Sequence, residues 1–333
     1  MKPITERRSY GLVDPECRGV LEILDSPAPT DATLAALRAG SGRVAEIIDV
    51  TVDTGVTLTQ RTIPGPRGAP DVRLLILTPA ALESAMPALL YFHGGGFIAG
   101  SPDIMIGWGS KLAKDVGCVI VLPTYRLAPE TRWPGPIEDL YATLCWVSDN
   151  TDILGIDPAR IAIGGGSAGG GHAAALALHV RKLGGPKILH QLLMFPMLDD
   201  RPAANPYAGE FGWTREHDRF GWTALLGVPA GSKHVPAEAV PGRVLDLSGL
   251  PPAYIGIGAL DLFVDANLDY AKRLMHCGVP VELHVFPGGY HGFEFVAPNA
   301  EISQIAIADI PRVLRSAFAR AGLTRGAGIG NYD

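Results

Sequence analysis

The chain has 333 residues, of which 47% are hydrophobic and 19% are charged, and its formal net charge is -6 at pH 7. These values are typical of a globular protein with one large domain or two small ones. Lys and Arg do not cluster, so nothing in the composition favours nucleic acid or a membrane as partner, and a small molecule is the expected ligand.

The N-terminus carries positive charge without an apolar run behind it, which is not typical of a secretory signal. The longest apolar stretches are too short and too often interrupted by glycine to span a bilayer. The four cysteines, Cys17, Cys118, Cys145 and Cys277, lie far apart and lack the C-x-x-C spacing of a zinc or redox site. We therefore predict a cytoplasmic protein with reduced cysteines and no metal.

The predicted elements begin with short helical pieces such as DATLAALRAG within residues 1–40, a segment too long for a simple loop. The next two stretches, RVAEIIDVTVDTG and VTLTQRTIPG, alternate apolar and polar residues. That alternation predicts an antiparallel hairpin at the edge of a mixed sheet.

Strand-like runs then alternate with helix-like runs, which is the pattern of a parallel sheet covered by helices. The predicted strands are Val72–Leu77, Ala88–Phe92, Val119–Pro123, Ile161–Ile163, Gln191–Phe195, Ala253–Gly258 and Val281–Val285. The predicted helices are Pro136–Val147, Ala168–Leu183, Asn267–Cys277 and Ile302–Ala321. The sequence therefore predicts an α/β fold, with a mostly parallel central sheet and helices on both faces.

An insertion at about residues 198–247 interrupts this alternation and contains the aromatic stretch FGWTREHDRFGWTALLG. Long insertions are often functional, and we interpret this one, together with residues 1–40, as a lid over the sheet. Trp213 and Trp222 are its candidate pocket residues, because aromatic faces bury apolar ligand surface. The alternative is a surface excursion whose aromatic side chains only pack it down.

The stretch IGGGSAGGG fits two motifs. Gly164, Gly166 and Gly169 give G-x-G-x-x-G, the phosphate-binding turn of a dinucleotide-binding unit. Gly165, Ser167 and Gly169 give G-x-S-x-G, the nucleophile elbow of a serine hydrolase. The rest of the chain decides between them.

The phosphate-binding interpretations fail on the residues that follow. A dinucleotide site needs an acidic residue about 20 positions after the glycines, and no Asp or Glu lies between Gly170 and Leu198. A P-loop needs a lysine where Gly171 or His172 stands. The serine hydrolase interpretation remains.

A serine hydrolase also needs a histidine base and an acid that orients it, in the chain order Ser, Asp, His. Asp261 follows the predicted strand AYIGIGAL, and His291 follows the last predicted strand. Asp265 competes for the acid role but is explained as a helix N-cap, so Asp261 is preferred. Each residue alone has an ordinary structural explanation; together they predict Ser167 as nucleophile, His291 as base and Asp261 as orienting acid.

The oxyanion of the tetrahedral intermediate needs hydrogen-bond donors. The stretch LLYFHGGGF supplies glycines directly after a buried strand, and their backbone N–H groups can face a substrate without a Cβ in the way. We predict the N–H groups of Gly94, Gly95 and Ala168 as the donors. His93 is interpreted as structural, and the alternative for the whole stretch is a glycine-rich turn without a ligand.

With these residues the chain resembles the bacterial hormone-sensitive-lipase-like (family IV) esterases of the α/β-hydrolase superfamily. The resemblance runs from Leu89 to Phe295 through HGGGF, YRLAPE, GGSAGG, LSGLPPAYIGIGALDLFVD and GYHGFE. It implies the same roles for the predicted site residues, a helical cap over the C-terminal edge of the sheet, esters with short acyl chains and no metal or organic cofactor. Gly166 and His172 differ from residues common in the family, which leaves the chemistry intact and the subfamily, acyl preference and oligomer interface open.

The complete prediction is a carboxylesterase that works through an acyl-enzyme, on a small-molecule ester. Residues 1–40 form a cap segment and residues 41–333 the catalytic domain with its cap insertion, and a homodimer or higher homo-oligomer is the assembly considered. The alternatives are amide or lactone hydrolysis by the same residues, and a non-catalytic ligand receptor on the same fold.

Overall fold

The computed structural model describes residues 3–40, 50–80 and 85–326. Within these ranges eight strands form one sheet, in the order β1-β2-β4-β3-β5-β6-β7-β8. The strands are β1 (Val56–Ile63), β2 (Val72–Pro79), β3 (Met86–Phe92), β4 (Val119–Pro123), β5 (Ile156–Gly166), β6 (Gln191–Met194), β7 (Ala253–Gly258) and β8 (Val281–Phe286). The α-helices are α1 (Leu21–Leu24), α2 (Leu34–Gly40), α3 (Ile106–Val116), α4 (Gly135–Asp149), α5 (Thr151–Leu154), α6 (Ala168–Leu183), α7 (Arg215–Leu226), α8 (Val264–His276), α9 (Phe293–Val296) and α10 (Glu301–Gly326).

The six strands from β4 to β8 in this order are parallel to one another. β1 is antiparallel to β2, and β2 is antiparallel to β4. The α/β class with a mostly parallel sheet is confirmed. β1 pairs antiparallel along its whole length with β2, which occupies one of its two sides, and the predicted hairpin between residues 43–55 and β1 stays a prediction. In the stretch predicted to pair with β1, residues 50–55 form no strand, and residues 41–49 lie outside the described residues.

Every residue of β3 and β4 is buried, because helices cover both faces of the sheet. One face packs against α4 and α6, and the other against α3 and α10. Among the described helices none combines the length and apolar character that a membrane span requires. The four cysteines are free thiols.

The parallel strands end at one edge of the sheet, and the N-terminal segment and the insertion contact each other next to it. The backbone N–H and the hydroxyl of Ser9 both donate to the Glu210 carboxylate, each at 2.6 Å. The Arg7 guanidinium donates to the Glu210 carbonyl at 2.7 Å and pairs with Asp25. The assignment of these two segments to one cap stays a prediction.

Candidate active site

Ser167 lies at the sharp turn between β5 and α6. Its backbone has φ 57° and ψ -122°, a conformation that costs energy for any residue with a Cβ. The Ser167 N–H donates to the Met194 carbonyl at 3.0 Å, and its own carbonyl accepts from the N–H groups of Gly171 and Met197. These bonds hold the strained turn that the elbow motif predicts.

The glycines two residues before and after Ser167 are there for steric reasons. A Cβ on Gly165 would lie 2.3 Å from the carbonyl carbon of Gly169. A Cβ on Gly169 would lie 2.0 Å from the carbonyl oxygen of Phe92. Side chains at either position would therefore push the helix away from the strands that carry it.

The structure brings the three predicted site residues together although they are far apart in sequence. The Oγ atom of Ser167 lies 2.9 Å from Nε2 of His291, and Nδ1 of His291 lies 2.8 Å from Oδ2 of Asp261. Asp261 is fully buried, and its other oxygen accepts from the N–H of Phe263 at 2.9 Å. The geometry therefore connects a hydroxyl, an imidazole and a carboxylate in one chain of hydrogen bonds.

Asp265 lies outside this chain of bonds and is exposed. Its predicted role as a helix N-cap is wrong, because α8 begins at Val264 and its N-cap residue is Phe263. Asp265 is the second residue of the helix, where a carboxylate is favoured by the partial positive charge of the helix N-terminus.

The N–H groups of Gly94, Gly95 and Ala168 donate no hydrogen bond within the part of the chain that the structure describes. Gly94 lies beside the serine, since a Cβ on it would be 3.3 Å from the Cβ of Ser167. Ala168 is the first residue of α6, where an N–H has no acceptor inside the helix. These free donors suit the predicted oxyanion role.

His93 and Tyr125 support the glycine loop. The two rings stack with centroids 4.3 Å apart, and the Tyr125 hydroxyl donates to the His93 carbonyl at 2.7 Å. Nδ1 of His93 lies 2.8 Å from the carbonyl oxygen of Gly94. Burial lowers the pKa of His93 to about 4, so its ring is neutral at pH 7. This role of Tyr125 was not predicted from the sequence.

A cavity of about 690 Å³ opens onto Ser167 and His291. It is lined by the glycine loop and, among others, by side chains of the N-terminal segment (Leu24 and Leu37) and of the insertion (Trp213 and His217). Trp213 therefore lies where a pocket residue would. Trp222 does not line the cavity: its side chain is fully buried inside the molecule, with its ring 4.8 Å from that of Phe97.

Glu294 is a buried carboxyl group beside the site that the sequence analysis missed. It is 3% exposed, and its Oε2 atom has no hydrogen-bond partner within the described residues. Burial, with a smaller contribution from the charge of Asp261, raises the pKa of Glu294 to about 8. Glu294 is therefore mostly protonated at pH 7, which spares the site a second buried negative charge.

We expect Glu294→Gln to gain stability over the wild type as the pH rises. The pKa is raised on folding, so the contribution of Glu294 to stability is complete below its ordinary pKa and is lost as the pH passes about 8. Between about pH 5 and pH 9 the difference in unfolding free energy should grow by a few kcal/mol in favour of Gln. Thermal melts across this range, with exposed Glu22→Gln as the control, measure it. A difference that stays constant with pH would mean that Glu294 is already ionised in the folded protein.

Comparisons with known proteins identify the family of this chain. A protein-family model described as alpha/beta hydrolase fold (Abhydrolase_3) matches residues 89–295. Esterase LipI of Mycobacterium tuberculosis is 34% identical over 86% of this chain and 91% of its own length. Ethyl acetate hydrolase of Pseudomonas putida is 32% identical over 74% of each chain. The structure of a bacterial heroin esterase superposes with a TM-score of 0.84 at 35% identity, covering 92% of this chain and 98% of that one.

Proposed function

This chain belongs to the Abhydrolase_3 family of α/β hydrolases, the hormone-sensitive-lipase-like esterases, and we propose that it hydrolyses short-chain acyl esters through an acyl-enzyme on Ser167. The chain is a carboxylic ester hydrolase, as its relatives are. One observation carries the proposed mechanism: the 2.9 Å contact between the Ser167 hydroxyl and His291, continued at 2.8 Å to Asp261.

In the first half of the reaction, Oγ of Ser167 attacks the ester carbonyl carbon while Nε2 of His291 takes its proton. The carbonyl oxygen becomes an oxyanion and is held by the N–H groups of Gly94, Gly95 and Ala168. His291 then gives the proton to the departing alcohol oxygen, and the acyl group stays on the serine.

In the second half, a water molecule repeats the attack with His291 as base, and the acid is released from the serine. The Asp261 carboxylate stabilises the imidazolium that forms in each half. It also fixes the tautomer, because a bond from Nδ1–H to the carboxylate leaves Nε2 free to accept the serine proton.

The preference for short acyl chains is supported by the name of one relative. Leu24 and Leu37 of the N-terminal segment are among the apolar side chains that line the cavity. The relative named ethyl acetate hydrolase points to small esters. Turnover of p-nitrophenyl esters from acetyl to octanoyl, with an amide and a lactone alongside, tests this proposal. We expect kcat/KM to be highest for a short acyl ester, and faster turnover of the amide, the lactone or the octanoyl ester would overturn it.

Trp213→Ala should change the substrate specificity, whereas Trp222→Ala should lower the stability of the fold. Trp213 lines the cavity, so its removal enlarges the pocket and should shift the preference toward longer acyl chains, by about 1 kcal/mol or more per methylene accommodated. Trp222 is fully buried, so its truncation should cost about 3–5 kcal/mol of stability.

The measurements are kcat/KM for acetyl, butanoyl and octanoyl esters, together with the melting temperature of each variant. An unchanged acyl ranking in Trp213→Ala, with a lowered melting temperature, would show that this tryptophan only anchors the insertion.

A further inference from the structure

His217, on α7, is a histidine of the cavity wall that the proposed mechanism does not use. It lines the cavity and is 3% exposed. Its ring centroid lies 5.1 Å from that of Trp213, whose ring lies 6.3 Å from that of His291. The Trp213 ring therefore contacts both histidine rings, and all three residues line the cavity.

One nitrogen of His217 is held in place and the other is free. Nδ1 lies 2.8 Å from the hydroxyl oxygen of Thr214. Thr214 is the N-cap residue of α7, yet its hydroxyl makes no capping bond to the helix. Nε2 has no hydrogen-bond partner within the described residues, and it is not fully buried. The hydroxyl therefore orients the ring and leaves Nε2 open to the cavity.

The apolar surroundings of His217 make a hydrogen bond from a ligand to Nε2 important for binding. Phe195, Trp213 and Phe295 line the cavity with it, and burial lowers the pKa of His217, so its ring is neutral at pH 7. A neutral nitrogen in an apolar wall loses water when substrate enters, and it regains a hydrogen bond only if the substrate supplies one.

We propose that Nε2 of His217 binds a hydroxyl group on the alcohol half of the ester, so that the enzyme favours esters of hydroxylated alcohols over esters of simple alkanols. This inference rests on the proposed function, in which the departing oxygen must face His291 to receive its proton. The alcohol half then lies along the side of the cavity that holds Trp213 and His217. Since Thr214 can donate to or accept from Nδ1, Nε2 is either acceptor or donor, and a substrate hydroxyl can meet both.

The test uses two pairs of small esters that differ by a hydroxyl in place of a methyl group. 3-Hydroxypropyl acetate and butyl acetate differ in the alcohol half, whereas ethyl 3-hydroxypropanoate and ethyl butanoate differ in the acyl half. For each pair the readout is the ratio of kcat/KM for the hydroxylated ester over the apolar one. His217→Phe removes the nitrogen, His217→Gln restores a polar group, and His276→Phe makes the same change at an exposed histidine outside the cavity.

We expect His217→Phe to lower the alcohol-half ratio about tenfold or more and to leave the acyl-half ratio within about twofold. His217→Gln should recover part of the loss, and His276→Phe should change neither ratio. A loss in the acyl-half ratio, equal losses in both, or no loss in either would overturn the inference. Ser167→Ala, measured on butyl acetate, tests the proposed function separately. That variant is inactive if Ser167 is the nucleophile, even if the inference about His217 is wrong, and it stays active only if the proposed function itself fails.

Discussion

Ser167→Ala is expected to lower kcat for ester hydrolysis by about 10⁴-fold to 10⁶-fold while the protein stays folded. The change removes the atom that attacks the carbonyl, so the covalent route is lost, and only binding and the oxyanion donors can still contribute. Alanine keeps the Cβ, so the strain of the positive φ is the same as in serine. The variant therefore removes the hydroxyl without changing the backbone geometry of the elbow.

This result is measured as the hydrolysis of p-nitrophenyl butanoate at equal concentrations of folded protein, with circular dichroism and a thermal melt for each variant. Ser248→Ala, at an exposed serine outside the cavity, is the control and should match the wild type. A folded Ser167→Ala protein with near wild-type turnover would exclude Ser167 as the nucleophile.

Asp261→Asn is expected to lower kcat by about 10⁴-fold, and Asp265→Asn by less than about twofold. The Asp261 carboxylate accepts from Nδ1 of His291 at 2.8 Å and stabilises the imidazolium that forms when the serine proton is taken. An amide carries no charge, and its NH₂ group can favour the tautomer in which Nε2 carries the proton and cannot accept one.

Asp265 offers a matched control, because it is the same residue type four positions further along and is exposed on α8. Its replacement removes only a favourable charge at the helix N-terminus, worth about 0.3–1 kcal/mol of stability. The reverse ranking of the two variants in kcat would show that the orienting acid had been assigned to the wrong aspartate.

The sequence predicted those elements whose local residue pattern matches their final place in the fold. Buried parallel strands have continuous apolar runs, and the limits of β4 and β7 were predicted without error. Helix α3 was missed because Gly107 and Gly109 weaken a helical pattern. At Gly109 a Cβ would lie 2.8 Å from the Cδ1 atom of Leu77 in the sheet, so a larger residue would force that side chain to move. Close packing between distant segments explains that glycine, and local propensity does not.

The same distinction applies to the site. Ser167 could be found from sequence because the strained turn needs small residues at fixed positions around it. The roles of His217 and Glu294 could not be found, because a histidine or glutamate in isolation gives no sign of a cavity wall or a buried neighbour. Trp222 was assigned to the pocket from its position in the insertion and its aromatic side chain, and the structure places it in the core.

The most direct test of the acyl-enzyme is covalent labelling with a p-nitrophenyl alkylphosphonate, whose phosphorus centre is attacked in place of the ester carbonyl and whose adduct imitates the tetrahedral intermediate. The measurement is the amount of p-nitrophenol released per chain, followed by mass spectrometry of the digested protein to locate the label. The mechanism proposed here predicts one equivalent released, complete loss of esterase activity, the phosphonyl group on Ser167 and no labelling of Ser167→Ala. Inactivation with the label on any other residue, or with no label at all, would contradict it.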